Sequence, residues 1–350
     1  MTRTTHTLFS ILASVLLTAC SALDFGIRGT VSLEDADAVL TEADESLKTG
    51  DHKSALDGLK ALLQVEGLPT SQRTEATKMF ATAAAQQIEM LSANPEGAEE
   101  LADLVEEELP REIAVSAGIA SAHSFIKNGE AEEAWKILRR LDERFPLHHE
   151  RATAGRLLVD VGLTLSHDER SWWVFWSARS EGLACLEYVV LNHPSQSRCD
   201  EAYMRLGEMY AEDHQRSLAI DRYSDLILYH PKSPLRAAAQ AHIPMLRLEL
   251  LDSPEYDRNG LMLALAELED WERRFPNHPL SEVVFQTHTD CLRRLSASDL
   301  GIARFYERIG NAEGREFHAK RAGKLARDAG DTELAASADD LLTTHGSADS

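Results

Sequence analysis

Apolar residues recur along this chain at helical intervals. Ala55, Leu59 and Leu62, then Ala134, Leu138 and Leu141, then Tyr203, Leu206 and Tyr210, then Ala264, Leu268 and Trp271 all fall three or four positions apart. That interval stacks side chains on one face of a helix. Prolines close the pattern: Phe145-Pro146, His193-Pro194, His230-Pro231 and Phe275-Pro276 mark helix ends separated by 48, 37 and 45 residues. Proline disfavours the α conformation in the residue before it and has no amide for a further helical bond. The expected fold is all-α, built from paired helices that repeat at irregular length.

Composition agrees. The chain has 46 Ala and 48 Leu against 13 Val and 12 Ile, so helix formers far outnumber the stiff residues that sheets prefer. With 43% hydrophobic and 27% charged residues, wholesale disorder is excluded. The 350-residue length would suit about two domains, but stacked repeats escape that rule because each unit buries its apolar face against its neighbours. A formal charge of -22 repels a polyphosphate backbone, which argues against nucleic acid as a partner. Much of that charge sits in residues 34–108, where 18 acids face 5 bases, and it reads as a solvated helical face.

The amino terminus carries Arg3, then an apolar run over residues 8–17, then Leu17-Thr18-Ala19-Cys20. Ten apolar residues are too few to span a bilayer, which needs about 20, so the run reads as a secretion signal. Leu-Thr-Ala-Cys resembles the lipobox of bacterial lipoproteins. The resemblance implies a signal peptide over 1–19, cleavage before Cys20, lipidation of Cys20 and a tether over 20–32. Acyl chains contribute about 0.8 kcal/mol per buried CH₂, enough together for stable anchorage. Ser21 at the following position implies, by the usual sorting pattern, the outer membrane.

Tyr203-x2-Leu206-Gly207-x2-Tyr210, followed by Ala219-x3-Tyr223 and Pro231, resembles the tetratricopeptide (TPR) repeat with an aromatic at its first position. Small Gly207 and Ala219 would let two antiparallel helices approach, with Leu206, Tyr210 and Tyr223 filling the gap. Ala122, Phe125, Gly129, Ala134, Leu138, Leu141 and Pro146 occupy the corresponding slots upstream, and Gly50, Ala55, Leu59 and Leu62, with Ala43 before them, give a weaker unit. Ala264, Leu268, Trp271 and Pro276 repeat the second-helix half, with Pro254 and the polar stretch to Gly260 expected to lengthen the turn between helices. Gly330 before Asp331 and Thr332 is expected to stop one helix and cap a last one over about 332–343.

Leu295, Asp299, Leu300, Ile302, Ala303, Arg304, Phe305, Tyr306 and Gly310, preceded by the segment 273–282 (RRFPNHPLSE), resemble the BamD-like lipoproteins of the outer-membrane β-barrel assembly machinery. The likeness covers residues 183–345 as a BamD-like TPR array. Residues 113–182 read as a TPR-like helical region, and 33–112 as a helical extension or degenerate repeats. Two departures stand out: the extra N-terminal length, and Arg315 where the second helix of the last unit usually has a small residue. The resemblance implies a lipid-anchored TPR-like hairpin array (α-solenoid) on the periplasmic face of the outer membrane. Its partners would be envelope proteins, among them the barrel-forming assembly subunit and unfolded outer-membrane precursors. Family geometry would place Met204, Glu208, Glu212, Arg304 and Arg308 along a partner-binding groove. Trp172, Trp173 and Trp176 read either as a core cluster or as an exposed partner-binding patch.

Catalytic motifs are absent: the sequence holds no Gly-x-Gly-x-x-Gly, no phosphate-cradling Gly-Lys-Ser/Thr, no His-Glu-x-x-His and no Gly-x-Ser-x-Gly. No catalytic residue, cofactor or metal is expected. His148-His149-Glu150, as helix neighbours, would point about 100° apart and serve one ion poorly. His278 and Glu282 share helical spacing, but Pro279 between them reads as a helix start, with Glu282 at its positive end. Cys185, Cys199 and Cys291 read as single buried thiols, although the envelope would permit a Cys185 to Cys199 bridge. The expected function is a docking scaffold. The alternatives are a TPR coordinator of cell-wall synthesis or division and, behind it, an enzyme subunit framed by helices.

Overall fold

The computed structural model describes residues 31–94, 96–106, 109–167, 178–251 and 258–343. Among them there are fifteen α-helices and no strand. The chain divides into two compact units after Asn128. Cys20, Trp172, Trp173 and Trp176 lie outside the described residues.

The first unit holds α1 (Ala36–Thr49), α2 (His52–Leu63), α3 (Thr70–Ala93), α4 (Gly97–Glu106) and α5 (Arg111–Asn128). Gly50 turns α1 into α2 at φ +84°, a left-handed conformation that glycine adopts without a Cβ penalty. Asp51 then caps α2 by accepting from the Ser54 amide. Leu40, Ala43, Leu56, Leu59, Leu62 and Phe80 share one core, so the weak N-terminal repeat is a real hairpin with α3 laid over it. Buried Ser121 donates to the Ala98 carbonyl at 2.8 Å and fastens α5 to α4.

The second unit runs through α6 (Ala131–Arg144), α7 (Arg151–Ser166), α8 (Ala178–Asn192), α9 (Cys199–Glu212), α10 (Arg216–Tyr229), α11 (Arg236–Leu250), α12 (Arg258–Arg274), α13 (Ser281–Arg308), α14 (Ala312–Asp328) and α15 (Thr332–Thr343). Each helix packs on the next, and α7 also meets α9, α11 meets α13 and α13 meets α15. Contact between alternate helices is the mark of a TPR-like hairpin array.

The four aromatic-or-His/Pro pairs share one geometry. The amides of Phe145, His193, His230 and Phe275 each close a last bond to the carbonyl four residues back, at 2.8 to 2.9 Å. The next helix begins six residues later in every case, at Arg151, Cys199, Arg236 and Ser281, and the amides of these residues bond to His148, Gln196, Ser233 and His278 respectively. The connection between hairpins is therefore constant, and the irregular spacing arises inside them. Helix packing follows the small residues. A Cβ on Gly207 would stand 2.4 Å from Tyr223 Cε1, so glycine there is what lets α10 lie against α9. A Cβ on Gly182 would stand 2.5 Å from the Ser166 backbone nitrogen, which sets α8 equally close to α7.

Seven residues separate α11 from α12, against three between α9 and α10, so the connection at Pro254 is long as expected, although α12 already starts at Arg258 and Gly260 is helical. One expectation needs correction. His148-His149-Glu150 is not helical: Pro146 ends α6, and the three residues form the turn ahead of α7. The last helix spans Thr332–Thr343 as expected, after Gly330 at φ +67°, with Asp331 accepting from the Leu334 amide. No described helix is long and apolar enough to cross a membrane.

Candidate partner-binding face

Met204, Glu208 and Glu212 fall on one face of α9, four residues apart, as their spacing requires. Their charges are already committed. Arg205, 12% exposed in its side chain, donates from Nη1 to Glu208 and Glu212, each at 3.1 Å, and from Nη2 to the Ser166 carbonyl at 2.8 Å. Arg179 of α8 reaches Glu212 at 3.0 Å, Asp213 at 3.0 Å and the Met209 carbonyl at 3.2 Å. Burial raises the Glu212 carboxyl, but hydrogen bonds from Arg179 and Arg205 outweigh it and hold its pKa below the ordinary value. These acids therefore latch α7, α8 and α9 together. Behind them, Tyr223 stacks on His242 of α11 at 5.1 Å, and burial lowers the His242 pKa.

Arg304 and Arg308 differ. They lie four residues apart on the exposed side of α13, and no ion pair among the described residues ties down either guanidinium. Phe305 and Ile309 stand beside them, 48% and 58% exposed, and Phe317 on α14 is 60% exposed. A file of rings links the apolar members: Phe305 to Tyr306 at 5.6 Å, Tyr306 stacked on His318 at 5.6 Å, and His318 to Phe317 at 5.1 Å. A Cβ on Gly314 would stand 2.7 Å from the Tyr306 ring, so this glycine makes room for the file. Free arginines among exposed aromatics are the composition of interface hot spots.

Buried Asp299 holds this face in place. Its carboxylate accepts from Arg258 Nη2 at 2.7 Å and pairs with His318 Nδ1 at 2.8 Å and Arg321 Nε at 3.4 Å, tying α12 and α14 to α13. A second buried carboxylate, Asp142, does the same at the other end of the second unit. It meets His148 Nε2 at 3.0 Å, His193 Nε2 at 2.5 Å, the Tyr188 hydroxyl at 3.2 Å and Arg151 at 3.5 Å. Arg151 also donates to the Asn192 carbonyl at 2.7 Å. Burial raises the Asp142 carboxyl, and the donors overcome it, so the pKa is driven well below the ordinary range. Both imidazoles are only 3% exposed, which makes the cluster a rivet between helices.

Of the residues on this face, the sequence singled out Arg304 and Arg308 and did not single out the exposed apolar residues Ile309 and Phe317 beside them. It also missed Asp142, whose signal was a carboxylate inside an apolar stripe, next to Leu141 and one turn from Leu138. Cys185, Cys199 and Cys291 are buried free thiols. Among the described residues, no group of three or more His, Cys, Asp or Glu is arranged to hold a metal ion.

No family model and no curated protein matches the chain. Among solved structures it is similar to TPR proteins. A MamA mutant is 17% identical, covering 65% of this chain and 97% of that one at a TM-score of 0.29. TPR-like repeats of a kinesin light chain from Podosopora anserina are 13% identical, covering 63% and 98% at 0.30. The P58(IPK) TPR domain is 14% identical, covering 88% and 79% at 0.23. With scores this low, the fold rests on the helix packing itself: the described residues form an all-α, TPR-like array of helical hairpins.

Proposed function

We propose that this protein is an outer-membrane lipoprotein, held on the periplasmic face through acylated Cys20, whose hairpin array binds envelope proteins during β-barrel assembly. The observation that carries the binding role is the α13–α14 face, where Arg304 and Arg308 stand unpaired beside Phe305, Ile309 and Phe317. Exposed aromatic and guanidinium groups supply most of the energy in protein interfaces. The same helix carries the Leu295 to Gly310 segment that resembles BamD-like proteins, and the lipobox ending at Cys20 supports the location.

Crosslinking in intact cells followed by mass spectrometry tests this reading. The expected result is crosslinks from the α13–α14 face to a barrel-assembly subunit, weakened when Arg304→Glu and Arg308→Glu are combined. Fractionation of Cys20→Ala cells is expected to move the protein off the outer membrane. Crosslinks confined to cell-wall synthesis or division proteins would replace barrel assembly with that role. Unchanged crosslinks in the double arginine variant would remove the face from the interaction.

A further inference from the structure

The stripe that α3 turns inward runs Ala76, Phe80, Ala83, Gln87 and Leu91, three or four residues apart and all buried. One member is polar. Gln87 is 5% exposed, and its side-chain amide makes no hydrogen bond to any described residue. Neither its oxygen nor its nitrogen is sealed from solvent. Gln87 lines a cavity of about 110 Å³ between α2, α3 and α4, all within the first unit.

Leu56 of α2, Phe80 and Leu91 of α3 and Leu104 of α4 give the cavity apolar walls. Among the lining residues Gln87 is the one buried polar side chain. A water beside it would need about two to four polar partners and would meet those walls instead. The remaining lining residues carry both signs, Lys53 and Lys60 against Asp57, Glu100 and Asp103, so the buried amide sets the choice of ligand. It offers an acceptor oxygen and a donating NH₂. An anion leaves the oxygen unmet, an ammonium leaves the NH₂ unmet, and a second amide meets both. An apolar cavity of roughly 150 Å³ accepts benzene, so about 110 Å³ suits the smaller isobutyl group.

We propose that this cavity takes a leucine-type residue of a partner polypeptide, with the aliphatic side chain against the walls and the main-chain amide on Gln87. An unpaired amide in an inward stripe costs the free protein stability, and occupancy offsets that cost. The cavity belongs to the first unit and the α13–α14 face to the second, so this site stands or falls separately from membrane anchorage and barrel assembly.

The test is ligand-observed NMR titration of the full chain in lipid nanodiscs, with empty nanodiscs as the blank. The probes are the tripeptides Ser-Leu-Ser and Ser-Gly-Ser, both acetylated and amidated. Expected is binding of the leucine peptide at least about tenfold tighter than that of the glycine peptide. Gln87→Met keeps the length of the side chain and removes its hydrogen-bonding groups. It is expected to weaken the leucine peptide about tenfold while the melting temperature holds or rises, because an apolar group replaces an unpaired amide. Equal affinity for the two peptides, or no binding of either, overturns the proposal whatever the variant does. So does unchanged affinity in Gln87→Met, and so does a lowered melting temperature, which would show that the amide already has its partner in the free protein.

Discussion

Replacing Asp142 by alanine strips the acceptor from a cluster that links α6, α7 and α8. Four donors lose a partner, but they do not suffer equally. Tyr188 is partly exposed and the Arg151 side chain is 31% exposed, so both can turn to water. His148 and His193 cannot: at 3% exposure their Nε2 groups are stranded. A buried donor left unsatisfied costs about 1–3 kcal/mol, and removing one partner of a buried charged pair costs about 3–5 kcal/mol. The expected loss is therefore about 4 kcal/mol. Asp142→Asn keeps one acceptor oxygen and turns an amide towards the second imidazole, so its loss should be roughly half as large. Urea unfolding followed by far-UV circular dichroism measures both. The folded pKa of Asp142 lies below its ordinary value of 3.8, so its stabilisation is complete above that value and is lost as pH falls through the lower, folded one. Wild type should therefore lose more stability than Asp142→Asn as the solution is acidified below about pH 4. A loss under about 1 kcal/mol in the alanine variant, or an asparagine variant weaker than alanine, would refute the reasoning.

Gly207→Ala puts a Cβ 2.4 Å from the Tyr223 ring and should cost about 1–3 kcal/mol by overpacking, read as a lowered melting temperature. Arg315, 5% exposed on the stripe it shares with Ala319 and Ala322, leaves Nε and Nη1 buried without partners. Arg315→Met should therefore raise the melting temperature, because it removes a buried charge and keeps much of the volume. Burial pushes the Cys199 thiol up to about 12 and Cys291 up to about 11, and Cys185 higher still. All three should resist iodoacetamide in the native protein and react in urea, as counted by mass spectrometry.

The latch on α9 shows how far spacing alone can be trusted. Residues four apart were placed on a common face, and Met204, Glu208 and Glu212 do share one. Spacing did not say what faces them. Arg179, from α8, and Arg205, which also holds the Ser166 carbonyl of α7, turn two acids expected along a groove into a clamp. At the α13 end the same arithmetic placed Arg304 and Arg308, and no partner from elsewhere in the described chain claims them. Phe317 was invisible as a contributor because it reaches the face through His318 and Tyr306, a ring contact between two helices that neither helix encodes alone.

Helix identity and helix ends were written in the chain itself. Proline, glycine and the capping side chains act on the backbone within four residues of their own position, so Pro146, Pro194, Pro231, Pro276, Gly50 and Gly330 delimit their helices wherever the chain goes next. Tertiary structure alone decided which buried polar groups meet. Asp142 finds His193 across 51 residues, and Asp299 finds Arg258 across 41. Those pairings depend on the angle and depth at which hairpins nest, which small residues such as Gly182 and Gly207 set through contacts with other helices. A carboxylate in an apolar stripe announces only that some donor must come, and packing chooses the donor.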